Sequence, residues 1–270
     1  MKLNHLKNTI MNILVNRNNK KLFSKSLESA PAKTYYKYMF DKIFGRYRIT
    51  WKDDKNNYTV KSISRIKDFE GYLPKISMVK DILPTISSYI ESRKSFFLKD
   101  PIPFIVYDAI TELNRIISPN DKVLEFGSGN STLWFLNKKC KITSIEHSEE
   151  WHTALNKHVK SSNNFKDVLK NLTYHLSEND NTWNLVTKMK DESFDLILVD
   201  GANEYNNRNQ CIAKSLEKLK KGGWLILDNS DHPNNWFGGL YMDEKFERKR
   251  FTGLAAMGLY ISQTSFWQKK

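Results

Sequence analysis

The chain has 270 residues, 40% of them hydrophobic, which is enough to bury a full core. No apolar run reaches the roughly 18 residues of a membrane span, and the two cysteines, Cys140 and Cys211, have no metal-ligand spacing and read as reduced packing residues in a cytoplasm. The net charge of +13 is uneven: residues 1–100 hold 21 Lys and Arg against 9 Asp and Glu, whereas residues 101–270 hold 22 against 21.

A basic segment attracts nucleic acid, anionic lipid or acidic glycans without base-specific readout. No nucleic-acid motif accompanies this one, so solubility is the preferred reading. The start, Met1 to His5, has no long apolar region and no small-residue cleavage site, and no signal peptide is expected. Residues 1–22 place Leu3, Leu6, Ile10, Ile13 and Leu14 near helical spacing among lysines and Arg17. That pattern suits a helix on a membrane surface, or one packed on its own domain or a partner, and the packed helix is preferred. Residues 31–44, with Tyr35, Tyr36, Tyr38, Phe40 and Phe44, predict a second helix. Aromatic and β-branched runs from Arg46 and from Tyr58 flank the polar stretch 53–57 and predict a hairpin. Residues 76–98 look helical but are punctuated by Pro84. Residues 1–100 are therefore expected to be a small α+β accessory region that brings an acceptor or a partner, not the cofactor. A chain starting near residue 100 would then keep much of its cofactor affinity.

After Pro101-Ile102-Pro103, residues 104–117 repeat apolar positions at helical spacing. Strands and helices then alternate. Strands are predicted at 123–126, 142–146, 172–176, 194–200 and 224–228, and helices near 149–160, 181–190 and 205–220, with Gly222-Gly223 as the C-cap signal of the last. Two more strands, 248–253 and 259–267, read as a closing hairpin. The pattern predicts an α/β, doubly wound, mostly parallel sheet whose ligands sit at the carboxyl ends of the strands.

The centre of this pattern is Val123-Leu124-Glu125-Phe126-Gly127-Ser128-Gly129-Asn130-Ser131-Thr132, a strand, a tight turn and a helix start. The glycines let backbone approach a ligand, and Asn130, Ser131 or Thr132 can cap the helix and leave its first N–H groups facing that ligand. Four strands end in acids or polar groups: Glu125, Glu146, Asp200, and Asp228 with Asn229. In a doubly wound sheet these ends open onto one crevice.

Acid-x-Gly-x-Gly resembles motif I of the class I, Rossmann-like S-adenosylmethionine-dependent methyltransferases, with Ser131 where the family has its third glycine. A dinucleotide-binding fingerprint would instead need glycine at Thr132 and no acid before Gly127, which argues against an NAD-dependent dehydrogenase. Glu146 lies 21 residues after Glu125, where a carboxylate accepts both ribose hydroxyls of an adenosine. The resemblance covers about residues 101–270 and implies seven strands with an antiparallel C-terminal hairpin. It implies S-adenosyl-L-methionine held by Glu125, Gly127, Ser128, Gly129, Asn130, Ser131, Thr132, Glu146, His147 and Asp200. His147 would sit beside the adenine, with Ser177 and Glu178 as weaker candidates for its edge.

Asp200 is the carboxylate placed to take a proton from an acceptor hydroxyl, or to hold the ammonium of the methionine part. In the catechol-type, metal-dependent members an Asp after the fourth strand and an Asp-Asn pair after the fifth hold one divalent cation. Asp200, Asp228 and Asn229 match in residue type and would suit Mg²⁺. The family's catalytic lysine is replaced by Asn203, and a metal-free site with Asp200 acting alone is the preferred reading. The expected activity is O-methylation of a small-molecule or glycan-type acceptor. Two alternatives stand beside it: a nucleic-acid methyltransferase using the basic N-terminal region, and a non-catalytic interaction protein that retains the fold.

Overall fold

The computed structural model describes residues 46–52, 58–64, 66–177, 180–201 and 207–270. Strands β1 (Arg46–Lys52) and β2 (Tyr58–Ser64) form the expected antiparallel hairpin, in register from Arg46 opposite Ser64 to Lys52 opposite Tyr58. The helices expected at 1–22 and 31–44, and the hairpin's polar turn, lie outside the described residues.

Seven further strands make one sheet: β3 (Lys122–Phe126), β4 (Lys141–Glu146), β5 (Leu172–Leu176), β6 (Phe194–Val199), β7 (Leu219–Asp228), β8 (Arg248–Leu254) and β9 (Ile261–Gln268). Their order is β5-β4-β3-β6-β7-β9-β8. The first five run parallel, and β9 lies antiparallel between β7 and β8. The sheet grows outward from β3 in one direction and from β6 in the other. The crevice therefore opens above the β3 and β6 carboxyl ends, the switch point where ligands of such sheets bind.

Strand periodicity sorts the core onto two faces. Val123, Leu196, Leu198, Ile226 and Phe266 pack with α2 (Tyr107–Ile116), α3 (Asn130–Asn137) and α4 (Glu149–Ser161) on one side. Leu124, Ile197, Val199, Leu225, Leu227 and Trp267 face α5 (Asp180–Thr187), α6 (Asn207–Ser215) and α7 (Trp236–Asp243) on the other. Sequence reading did not anticipate α7. Among the described residues no helix is long and apolar enough to cross a membrane.

One expectation is corrected. Gly222-Gly223 does not cap a helix: α6 ends at Ser215 and β7 already begins at Leu219, opposite Phe194. The glycines are held inside the strand, where Gly222 N–H donates to Lys269 O (2.6 Å) and Lys269 N–H donates to Gly223 O (2.9 Å). Residues before 100 pack on the sheet region. Phe97 lies in the core beside Leu113 and Leu133. Asp68 accepts from Thr252 Oγ1 (2.8 Å) and Gln263 Nε2 (3.0 Å), and Phe69 N–H donates to Asp231 (2.8 Å). In this segment α1 (Ile82–Ser92) follows a 3₁₀ turn at Ile76–Asp81. Pro84 sits in the first turn of α1, where a missing N–H breaks no bond.

Candidate functional site

After β3 the chain turns through Gly127 (φ +88°) and Gly129 (φ +156°) into α3. Gly127 N–H donates to Ile145 O (2.9 Å), and Gly201 N–H reaches back to Phe126 O (2.5 Å), so the turn is tied to both neighbouring strand ends. A Cβ on Gly127 would stand 2.5 Å from Gly201 Cα. Only glycine at both positions lets the two turns touch.

A polar lock sits beneath the turn. Thr132 Oγ1 accepts from Gly129 N–H (3.0 Å) and donates to Glu125 Oε2 (2.6 Å), which also accepts from Ser144 Oγ (2.7 Å). Burial pushes the Glu125 carboxyl up to about 7, against the pull of the Ser131, Thr132 and Ser144 hydroxyls, while Glu146 pushes it further up.

A cavity of about 490 Å³ lies over the turn. Gly127, Ser128, Gly129, Asn130, Ser131, Glu146, His147 and Asp200 line it. Glu125 and Thr132 are not among the lining residues: both are fully buried and brace the turn from below. Asn130 also departs from the capping role. Its Oδ1 accepts from Leu98 N–H (2.8 Å) and its Nδ2 donates to Phe96 O (3.3 Å), which fastens the preceding segment to the site. The N–H of Gly129, the residue before α3, is taken by Thr132 instead.

Glu146 ends β4 with a nearly buried carboxylate that is fully hydrogen-bonded. Oε2 accepts from Ser128 N–H (2.8 Å) and Ser128 Oγ (2.7 Å), and Oε1 from His147 N–H (2.9 Å) and Ser148 N–H (2.8 Å). His147 Nδ1 lies 3.2 Å from Oε1. The Ser128 hydroxyl also touches Tyr174 Oη (2.6 Å), whose ring stacks on His152 at 4.3 Å. Ser177 N–H donates to Glu146 O (2.8 Å), which continues the strand pairing; Glu178 lies outside the described residues.

The third group comes from the ends of β6 and β7. Asp200, Asp228 and Asn229 all line the cavity. What they meet is the Arg208 guanidinium, at the start of α6. Nη2 lies 3.2 Å from Asp200 Oδ1, and Nη1 lies 3.8 Å from Asp228 Oδ2 and 3.3 Å from Asn229 Oδ1. The remaining N–H groups donate to backbone: Nε to Gly201 O (2.9 Å), Nη2 to Asp200 O (2.6 Å) and Nη1 to Asp228 O. These oxygens do not fit a divalent ion, because a fixed cation already stands among them. Mg²⁺, the less favoured of the two readings, finds no support in this arrangement. Asn203 lies outside the described residues.

Burial raises the Asp200 carboxyl well above the ordinary carboxylate range, and the Asp228 charge adds to this while Arg208 pulls it down. Asp228 is raised by burial too, against the pull of Arg208 and of Thr264 Oγ1, which donates to it at 2.8 Å. The cavity is completed by residues that sequence reading did not single out as a site: Trp151, Arg208, Tyr89, Phe104, Met257 and Tyr260 among them. Only the helix position of Arg208 hinted at partners, without saying which. A cation in the first turn of a helix opposes the helix dipole and needs anionic partners.

Residues 124–230 match the family model of a methyltransferase domain. No curated protein matches the chain in sequence. The fold is similar, at a TM-score of 0.50, to the O-methyltransferase TomG from Streptomyces achromogenes, involved in tomaymycin synthesis and solved with S-adenosylmethionine; identity is 16% over 73% of this chain and 91% of that one. It is similar at the same TM-score to an O-methyltransferase from Bacillus cereus in complex with S-adenosylhomocysteine, at 15% identity over 74% of this chain and 94% of that one.

Proposed function

We propose that this chain, a class I, Rossmann-like S-adenosylmethionine-dependent methyltransferase, is an O-methyltransferase acting on the hydroxyl of a small-molecule or glycan-type acceptor. The observation that carries the reading is the position of Asp200. Asp200 lines the same cavity as the Gly127–Gly129 turn and Glu146, and burial raises its proton affinity above that of an ordinary carboxylate, which favours it as a proton acceptor.

S-adenosylmethionine supplies an already activated methyl group. The protein's task is then alignment and proton removal. The Gly127–Gly129 turn gives close backbone approach to the methionine part, and Glu146 takes a ribose hydroxyl. All four acceptor positions of Glu146 are filled by protein donors, so the ribose displaces the Ser128 hydroxyl, which keeps Tyr174 as its partner. Asp200 accepts the acceptor's proton. Tyr89, Phe104, Met257 and Tyr260 give the rest of the cavity apolar and aromatic walls, suited to a compact acceptor. Two solved structures that share the fold are O-methyltransferases.

The test is calorimetric titration with S-adenosylmethionine, followed by methyl incorporation into phenols, sugars, lipid-linked glycans and RNA. Binding together with transfer to a hydroxyl compound supports the reading. Transfer confined to RNA would replace it with the nucleic-acid alternative, and no cofactor binding would leave an interaction protein.

A further inference from the structure

We infer that Arg208 is a resident substitute for a divalent cation: its guanidinium is fixed in the seat formed by the ends of β6 and β7, and the protein works without a metal. The inference deepens the methyltransferase reading of this site and rests on it.

A three-oxygen set from two adjacent strand ends, Asp200, Asp228 and Asn229, is the donor chemistry of a hard cation. Here every N–H of Arg208 is directed at this set or at the carbonyls beside it. Three of the contacts are to backbone carbonyls, of Gly201, Asp200 and Asp228, so the guanidinium also pins the two strand ends to each other. The Arg208 side chain is only 11% exposed. Five donors in a rigid plane satisfy a ring of oxygens that an ammonium could not.

The substitution changes the charge of the site. A divalent ion with two carboxylates sums to zero and uses both acids as ligands. A guanidinium with two carboxylates leaves one net negative charge, so one carboxylate remains able to accept a proton. In this protein the acceptor's proton therefore goes to Asp200, with no metal-bound hydroxyl involved. Arg208 acts through Asp200 and is a positioning residue.

The seat can be tested with Mn²⁺ as the probe, read by electron paramagnetic resonance, beside S-adenosylmethionine titration on the same samples. The parent protein is expected to bind no Mn²⁺ competed by Mg²⁺, and its cofactor affinity is expected to be unchanged by EDTA. Arg208→Ala opens the seat. It is expected to bind Mn²⁺ roughly tenfold or more tightly than the parent, as three free oxygens allow. That binding is expected to be lost in Arg208→Ala/Asp228→Asn and competed by guanidinium at non-denaturing concentration. A merely structural arginine would give a weakened protein with no new ion site. Specific Mn²⁺ binding by the parent, or a folded Arg208→Ala protein that binds none, overturns the inference. If Arg208→Ala does not fold, the parent's Mn²⁺ titration still decides, and Arg208→Lys, which cannot reach all the oxygens, serves as the second variant. Failure of the methyltransferase reading shows separately, as absence of S-adenosylmethionine binding whatever the Mn²⁺ result.

Discussion

Gly127 and Gly201 stand back to back across the switch point of the sheet, so close that a Cβ on the first would lie 2.5 Å from the Cα and 2.6 Å from the N of the second. The contact is backbone on backbone and cannot be relieved by a side-chain rotation. It holds the glycine turn against the end of β6 and brings Asp200 to the same cavity as Ser128 and Gly129.

Gly127→Ala should be worse than Gly129→Ala. The first combines a left-handed φ of +88° with the clash on Gly201. The second meets nothing nearer than Trp151 at 4.0 Å and carries only backbone strain, roughly 1–3 kcal/mol. At about 2–4 °C per kcal/mol for chains of about 150–250 residues, Gly129→Ala should lower Tm by several degrees. Gly127→Ala should lower it further and abolish cofactor binding. Thermal melts and calorimetry on both variants check the order, and equal effects would remove the contact from the account.

Glu146→Gln replaces two accepting oxygens by one and places an N–H₂ group against donors from Ser128 or from His147 and Ser148. S-adenosylmethionine affinity should fall by roughly 10- to 100-fold, the cost of buried polar groups left unpaired. Ser128→Ala removes a hydroxyl that the ribose displaces, and should cost much less. Titration calorimetry separates the two, and comparable losses would take the ribose away from Glu146.

The acid limb of kcat/KM should lie above the ordinary carboxylate range. The Asp200 carboxyl is raised by burial and then by the Asp228 charge, and it must be ionised to accept a proton, so activity is lost as pH falls through the raised value. Asp200→Asn should abolish turnover while leaving the fold intact. A pH profile flat down to the ordinary carboxylate range would deny Asp200 the role of base.

Asp231 gives a stability test with the opposite pH sense. Burial lifts its carboxyl to about 8; Oδ2 accepts from Phe69 N–H, and Oδ1 has no hydrogen-bond partner among the described residues. Between the ordinary carboxylate value and about 8 the folded state keeps a proton that the unfolded state has released. The corresponding stability is present at low pH and lost as pH rises through that window. Asp231→Asn keeps an acceptor for Phe69 and cannot ionise. Urea melts should show the variant gaining on the parent from pH 5 to pH 8, and a constant difference would refute the assignment.

Truncation tests the position of the N-terminal boundary. A chain starting at residue 66 should fold and bind S-adenosylmethionine. One starting at residue 101 loses Phe97 from the core, the Phe96 and Leu98 partners of Asn130, and the Phe69 partner of Asp231. It should lose cofactor binding or remain unfolded. Full affinity in the shorter chain would restore a boundary near residue 100.

The acids at the strand ends were legible because a buried parallel strand has little reason to finish in a carboxylate, so Glu125, Glu146, Asp200 and Asp228 stood out against apolar runs. Their separate duties were not. Glu125 and Glu146 share a residue type and a position, and only the pattern of hydroxyls shows that one braces the turn while the other faces the cavity. Arg208 was hidden for a different reason. Three of its partners are backbone carbonyls, which no side-chain pattern records. Gly222-Gly223 misled because a glycine pair marks a helix end and an irregular strand alike, and the choice lay with Lys269, far along the chain.

Asn130 reaches from the glycine turn to Phe96 and Leu98, and so ties together two parts of the chain with different histories open to them. The turn, Glu146, Asp200, Arg208 and Asp228 all fall inside the stretch that matches the methyltransferase family, residues 124–230. Tyr89, Ser92, Arg93, Phe104, Met257 and Tyr260, which complete the cavity, all fall outside it. The cavity is thus assembled from two sources, one inside the matched stretch and one outside it, and substitutions in the second can change the cavity's shape while leaving the first as it is.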